Sequence, residues 1–309
     1  MKKHFSLTIN FTTFQTIKFK RIMKKFLTGF LAALLVLPIT YKAQEAGDKN
    51  SLLWEVTGNG SEKPSYLFGT FHMMCKDDFR IPKKVHKALS STDHFAMEIN
   101  FSDPNAMLEM QNMLVSDKKW TENFTEEEIK RVTKALESLE YNLDEIAQLS
   151  PIALYSMISV KSFECPQNEL KMIDLELMQS ALSMGKEITG LESVKDQVQV
   201  FQKFLTKKEI ISMIENASRN KEETQLMLKV YLSEDMEQLG RFFKESESMS
   251  ENQKKILLND RNLQWMKKIP QLLKEKSVFF AVGAGHLAGE HGLISLLRKN
   301  GYQVRPVTD

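Results

Sequence analysis

Two histidines carry the strongest chemical signal in the chain. His72 closes the run Tyr-Leu-Phe-Gly-Thr-Phe-His, and His286 closes Val-Phe-Phe-Ala-Val-Gly-Ala-Gly-His. In each, a β-prone apolar run ends and a glycine stands three residues before the imidazole, Gly69 for His72 and Gly283 for His286. Ligands of open α/β sheets bind beyond the carboxyl ends of the strands. Glycine there lets the backbone turn sharply or approach a ligand closely. Two imidazoles brought to one sheet edge would suit a divalent cation; a hydrogen-bonded structural role is the competing reading for either alone. His286 is also expected at the start of a helix, whose positive end would keep its ring neutral and able to bind a cation.

Glu98 is the third candidate. It ends the apolar stretch Phe-Ala-Met-Glu, where a carboxylate is costly unless it is paired or bound. It would complete a two-histidine, one-carboxylate metal site or act as general base on a metal-bound water; a strand-end salt bridge explains it equally well. Arg261, in Asp-Arg-Asn (260–262), could face the site and hold a carboxylate or an oxyanion. As an isolated helix residue it would simply be solvated, and Asp174, Glu176 and Glu192 read the same way. His86, His94 and His291 read as surface or packing residues, and no histidine falls in His-Glu-x-x-His. The chain has no Gly-x-Ser-x-Gly elbow and no phosphate-binding loop, and Ala288 stands where a dinucleotide motif starting at Gly283 would need its last glycine.

The elements that must position these residues follow from periodicity. Residues 52–57 and 66–70 are short β-prone runs separated by Gly58-Asn59-Gly60 and Pro64, which predicts a hairpin. A short helix is expected after Pro82, then a buried strand over 94–99. From Pro104 to about Gln179 the pattern is helical, with a start at Thr125 followed by three glutamates. A strand is expected over 186–190, helix again over 194–269, and the strongest strand over 277–282. A helix through Leu297 and a last strand over 303–306 complete a βαβ unit. The expectation is therefore an α/β protein with a mixed central sheet, a terminal βαβ unit and one domain over 45–309 that carries a helical insertion at about 104–270.

Residues 1–44 have a different character. From Met23 they run through Lys24-Lys25 and the apolar block Phe26–Thr40 to a processing site near Ala43, the pattern of an export signal. A membrane anchor is the other reading, but the block is 15 residues long, and a spanning helix needs about 20. The first 44 residues hold eight of the basic residues and no acid, so the whole-chain charge of +2 becomes −6 without them. A mildly acidic body lacking a basic stripe argues against nucleic acid or an anionic membrane as partner. An exported chain with two cysteines, Cys75 and Cys165, is permitted a disulfide, while two separate buried thiols are equally compatible with the sequence.

Taken together, Trp54-Glu55-Val56, the two Gly-x-x-His elements, Met97-Glu98, Gly190-Leu191-Glu192, Asp260-Arg261-Asn262 and Gly301-Tyr302-Gln303-Val304 resemble the TraB/PrgY/GumN family, which includes the Tiki proteases. The resemblance runs from about Leu52 to Val307. It implies a sheet like that of haem-uptake and erythromycin-esterase-like proteins, and metal-dependent proteolysis with Mn or Co, Zn being a further candidate. Carried over by position, it places His72, His286 and Glu98 at the metal and Arg261 beside it. Phe71 stands where the family often has a smaller aliphatic residue, and the chain shows no second membrane segment, unlike tethered members. The function this implies is exported metal-assisted hydrolysis of a peptide or small amide. A peptide-sequestering protein of the pheromone-shutdown type is the alternative.

Overall fold

The computed structural model describes residues 51–245 and 249–308; the expected targeting segment lies outside them. Eight strands are formed: β1 (Leu53–Thr57), β2 (Ser65–Thr70), β3 (Met73–Cys75), β4 (His94–Met97), β5 (Leu170–Met172), β6 (Glu187–Gly190), β7 (Val278–Gly283) and β8 (Gln303–Pro306). Six of them make one mixed sheet in the order β6-β4-β7-β2-β1-β8. The strands β6, β4, β7 and β2 are mutually parallel, and β1 is antiparallel to both β2 and β8. The expected hairpin is thus β1–β2. Its loop takes positive φ at Gly58, Asn59 and Gly60, which those residue types tolerate.

β7 shows why the centre of the sheet is where it is. All six of its residues are buried, as expected of a parallel strand covered on both faces. Phe279 stacks at 6.0 Å on Phe95 of β4 and lies 6.2 Å from Phe68 of β2, so one aromatic row ties three neighbouring strands. Each such ring removed from water contributes about 1.5–3 kcal/mol. The terminal unit then leaves β7, passes through the helix Leu293–Lys299 and returns as β8, parallel to β7 with β2 and β1 between them.

Between β4 and β7 the chain is mainly helical, as expected. The helix Glu126–Ser138 starts at a Thr125 capping box with three glutamates in its first turn, where they favour the dipole. The departure is β5, which falls inside a stretch that reads as helix and pairs antiparallel with β3, Met73 opposite Met172. The ribbon is only three residues wide, too short for periodicity to reveal. It is closed by a disulfide between Cys75 and Cys165, 90 residues apart, with Cα atoms at 5.8 Å. Closing so long a loop contributes about 2–4 kcal/mol by restricting the unfolded chain. The ribbon also has a positional effect: β3 follows His72 directly, and β5 leads directly into the helix Ile173–Ser183, which carries Asp174.

Candidate metal centre at the strand ends

The four parallel strands stop side by side, and each delivers one polar residue just beyond its carboxyl end. Thr70 of β2 is in register with Gly283 of β7, and Met97 of β4 with Gly190 of β6. Beyond those points stand His72, His286, Glu98 and Glu192. The first three of these side chains lie close together. His72 Nε2 lies 3.7 Å and His286 Nε2 lies 3.9 Å from the same Glu98 Oε1. All three side chains are buried.

Each imidazole is oriented by an acceptor on its other nitrogen. His72 Nδ1 lies 3.0 Å from Asp174 Oδ2, whose partner oxygen accepts from Thr70 Oγ1 at 2.9 Å. His286 Nδ1 lies 2.7 Å from Asn262 Oδ1. The Asn262 amide nitrogen donates to the carbonyls of His286 and His291, so Oδ1 must accept and His286 Nδ1 carries the proton. That leaves the Nε2 lone pair of His286 facing the centre. The Trp265 ring packs 4.3 Å from the imidazole and holds its plane.

Arg261 is the hub. Its Nε and Nη2 donate to Glu192 at 3.1 and 2.6 Å, and Nη2 also donates to Glu98 Oε2 at 2.5 Å. Nη1 donates to the Leu257 carbonyl at 3.1 Å and to His286 Nε2 at 3.0 Å. All five N–H groups are thereby used. Arg261 sits at 2% exposure, not on a solvated helix face. A π-helical turn, Lys255–Asn259, immediately precedes it, and such turns often mark functional sites. Arg261 and Asn262 are neighbours in sequence, yet both are buried toward the centre.

Electrostatics follow from burial and from this hub. Burial, the largest influence, raises the Glu98 carboxyl, but Arg261, the two histidines and the Gly283 N–H more than reverse it and hold Glu98 well below its usual range. Burial raises Glu192, and the Glu98 charge adds to it against Arg261. For His72 burial pulls downward, but the charge and hydrogen bond of Asp174, with Glu98, push it above the ordinary histidine value. Burial and then Arg261 hold His286 well below 6.5. A helix dipole is not the cause, contrary to the sequence expectation. His286 ends a single 3-10 turn, Ala284–His286, and the next helix starts only at Leu293.

A measurable consequence is a one-proton pH dependence. In the unfolded chain His286 takes up a proton below 6.5, whereas in the fold it does not. Its stabilising contribution is therefore complete above that pH and falls below it by about 1.4 kcal/mol per pH unit. Denaturant unfolding of chelated wild type and of His286→Gln, each at pH 7.5 and 5.5, should show the wild type losing about 1 kcal/mol more. Equal losses would place the proton on the folded ring.

Asp174, Glu192 and Asn262 are the site residues to which the sequence assigned no role, although Glu192 and Asn262 stand in elements that carry the family resemblance. Glu176, read together with the first two, is half-buried and paired with Lys171 at 2.9 Å, away from the centre. Among the described residues, no three His, Cys, Asp or Glu side chains form a ready-made metal cluster. No helix there is long and apolar enough to cross a membrane.

A profile of the TraB/PrgY/gumN family matches residues 52–306. Metalloprotease TIKI2 of Xenopus tropicalis is 25% identical over 85% of this chain and 60% of its own length. A Metalloprotease TIKI homolog of Amphimedon queenslandica is 24% identical over 86% of this chain and 63% of its own. Metalloprotease TIKI2 of Danio rerio is 22% identical over 83% and 61%. The chain thus spans less than two thirds of the length of these relatives. No solved structure gives a significant match.

Proposed function

The chain belongs to the TraB/PrgY/gumN family, and from that premise we propose that it is an exported metal-dependent peptidase acting on a peptide or small amide. One observation carries this reading: two imidazoles, each anchored through Nδ1, turn Nε2 toward a single carboxylate oxygen. Metal-binding histidines have this arrangement, with an outer acceptor fixing ring and tautomer. Two imidazoles and a carboxylate are the donor types that suit a divalent cation of the Mn, Co or Zn type, and among the described residues they stand near one another without forming a ready-made cluster. Donors about 2.1 Å from one ion stand at most about 4.2 Å apart, and 3.7 and 3.9 Å fall within that span. His72 Nε2, His286 Nε2 and Glu98 Oε1 would hold it, with Arg261 Nη1 giving up His286 Nε2. When bound, such an ion polarises a carbonyl and acidifies water.

The chain's own groups then divide the work. Glu98, kept ionised at neutral pH, is better suited to ligation than to proton transfer. Glu192, whose carboxyl burial pushes upward from its ordinary value, is the better placed of the two carboxylates to move a proton. Arg261 fixes both carboxylates. The oxyanion role expected for it requires one of its five bonds to be released on substrate binding. The resemblance to haem-uptake and erythromycin-esterase-like sheets, and a single domain with its helical layer inserted at about 104–270, belong to the same proposal.

The closed state of the centre favours one alternative, a peptide-sequestering protein without turnover: the imidazoles are buried and Arg261 has no N–H to spare. Incubating the purified chain with a diverse peptide pool and Mn, Co or Zn, then reading products by mass spectrometry, separates the two. Cleavage that a chelator abolishes, with about one ion bound per chain, is the expected result. Peptides retained intact with every ion would establish sequestration instead.

A further inference from the structure

The short helix Asp260–Trp265 has two faces. Arg261 and Asn262 are buried, whereas Leu263 is 48% exposed. Leu263 lines a cleft of about 520 Å³ that also includes Glu192 and Arg261, with Leu191, Val200 and Ile256 as further apolar lining. A volume of this size accepts a ligand of a few residues. A second, larger cavity of about 1080 Å³ meets the centre only at Asn262 and Gly285 and touches none of its ionisable groups.

We propose that the smaller cleft is the substrate site, and that it selects a peptide bearing an apolar side chain next to a carboxylate. The assignment rests on the peptidase reading for what becomes of the peptide, but binding is argued from the cleft itself. Leu263 and its apolar neighbours offer the side-chain contact. The charge balance of the lining is positive. Arg261 is matched by Glu192, and Asp260 is engaged by Lys255 at 2.6 Å. Asp196 accepts from Ser193 and feels Lys268 and Lys195. Lys268 Nζ donates to the Leu191 carbonyl and Lys267 Nζ to the Gln264 side chain. Among the described residues, neither Lys203 nor Lys267 has a carboxylate within ion-pair distance, so two cations at the rim await an anion. Both are exposed, so substituting them should leave the fold intact.

The probes are dye-labelled tetrapeptides, Ala-Leu-Glu-Ala amide, Ala-Leu-Gln-Ala amide and Ala-Leu-Gln-Ala free acid, and the readout is fluorescence anisotropy at low salt on the chelated full chain. The Glu peptide or the free acid should bind more tightly than the neutral amide, and which of the two does so identifies the carboxylate as side-chain or C-terminal. In the double variant Lys203→Gln, Lys267→Gln that advantage should fall roughly three- to tenfold, as for two exposed ion contacts, with the neutral amide unchanged. Leu263→Asp should weaken all three. Equal affinities for the three peptides, or an advantage that survives the double variant, would overturn the assignment. Binding as described, with no cleavage once metal is restored, would leave the cleft standing and defeat the peptidase reading alone.

Discussion

Replacing Arg261 with Met is expected to lower the unfolding free energy by about 3–5 kcal/mol, the range for removing one partner of a buried ion pair. Arg261 lies 2.5 Å from Glu98 Oε2 and 2.6 Å from Glu192 Oε1 at 2% exposure. Without it, two desolvated carboxylates share a small volume with no cation bridging them, and Glu98 keeps only the neighbouring imidazoles. Either both stay charged at great cost or they bind protons. The pH dependence separates these effects from lost packing. In the wild type Glu98 has a depressed pKa, so its contribution is present above the unfolded value of 4.5 and is lost as pH falls. In the variant both carboxylates have raised values, so the penalty shrinks as pH falls and they protonate. The gap between the two proteins should therefore narrow from pH 8 to pH 5 in urea denaturation. Adding Glu192→Gln to Arg261→Met should recover part of the loss. A gap under about 1 kcal/mol that ignores pH would mean water already reaches these groups. Lysine is not an adequate substitute, because one ammonium cannot reproduce a five-bond fork.

The same hub explains what could be read from the sequence and what could not. His72 and His286 were legible because each ends an uninterrupted β-prone run and each has a glycine three residues earlier. Parallel neighbours in register then place such ends together. Glu98 was legible because a carboxylate closing a buried strand needs a partner. The acids that hold the centre were not. Asp174 read as solvated, yet in the helix Ile173–Ser183 it shares a face with the buried Leu177, Met178 and Ala181, the three-, four- and seven-residue spacing of a core stripe. That signal was present in the sequence. Glu192 was harder to find, since only the pairing of β6 with β4 brings it beside Glu98.

Other features depend on contacts that no local pattern encodes. Lys255–Asn259 reads as ordinary helix, and its π geometry accompanies the burial of both Arg261 and Asn262. The β3–β5 ribbon joins residues about a hundred positions apart through three pairs, and its disulfide could not be paired from spacing alone. This ribbon nevertheless sets the His72–Asp174 contact: the strands that pair are the ones flanking those two residues, and Ile173 N donates to the His72 carbonyl at 3.3 Å.

Gly283→Ala should reduce turnover about 100-fold while leaving the chain folded. Gly283 has φ −51° and ψ 135°, a conformation open to any L-residue, so alanine brings no backbone strain. A Cβ there, however, would stand 2.8 Å from His72 Nε2, 3.2 Å from its Cε1 and 3.4 Å from Glu98 Oε1. None of these neighbours can retreat freely. His72 is held by Asp174 from behind, and Glu98 Oε1 accepts from the N–H of Gly283 itself at 2.9 Å. The added methyl therefore forces the imidazole away from the carboxylate, and displacements near 1 Å at a reacting centre cost about 10² in rate. Overpacking of one methyl should cost about 1–3 kcal/mol of stability, within what a folded domain tolerates. Metal affinity, measured by competition with a chromogenic chelator, should fall in parallel with turnover. Wild-type turnover and metal affinity in a folded Gly283→Ala protein would show that the close approach of His72, Gly283 and Glu98 has no part in the chemistry. With that, the strongest structural reason for treating the two Gly-x-x-His elements as one site would be gone.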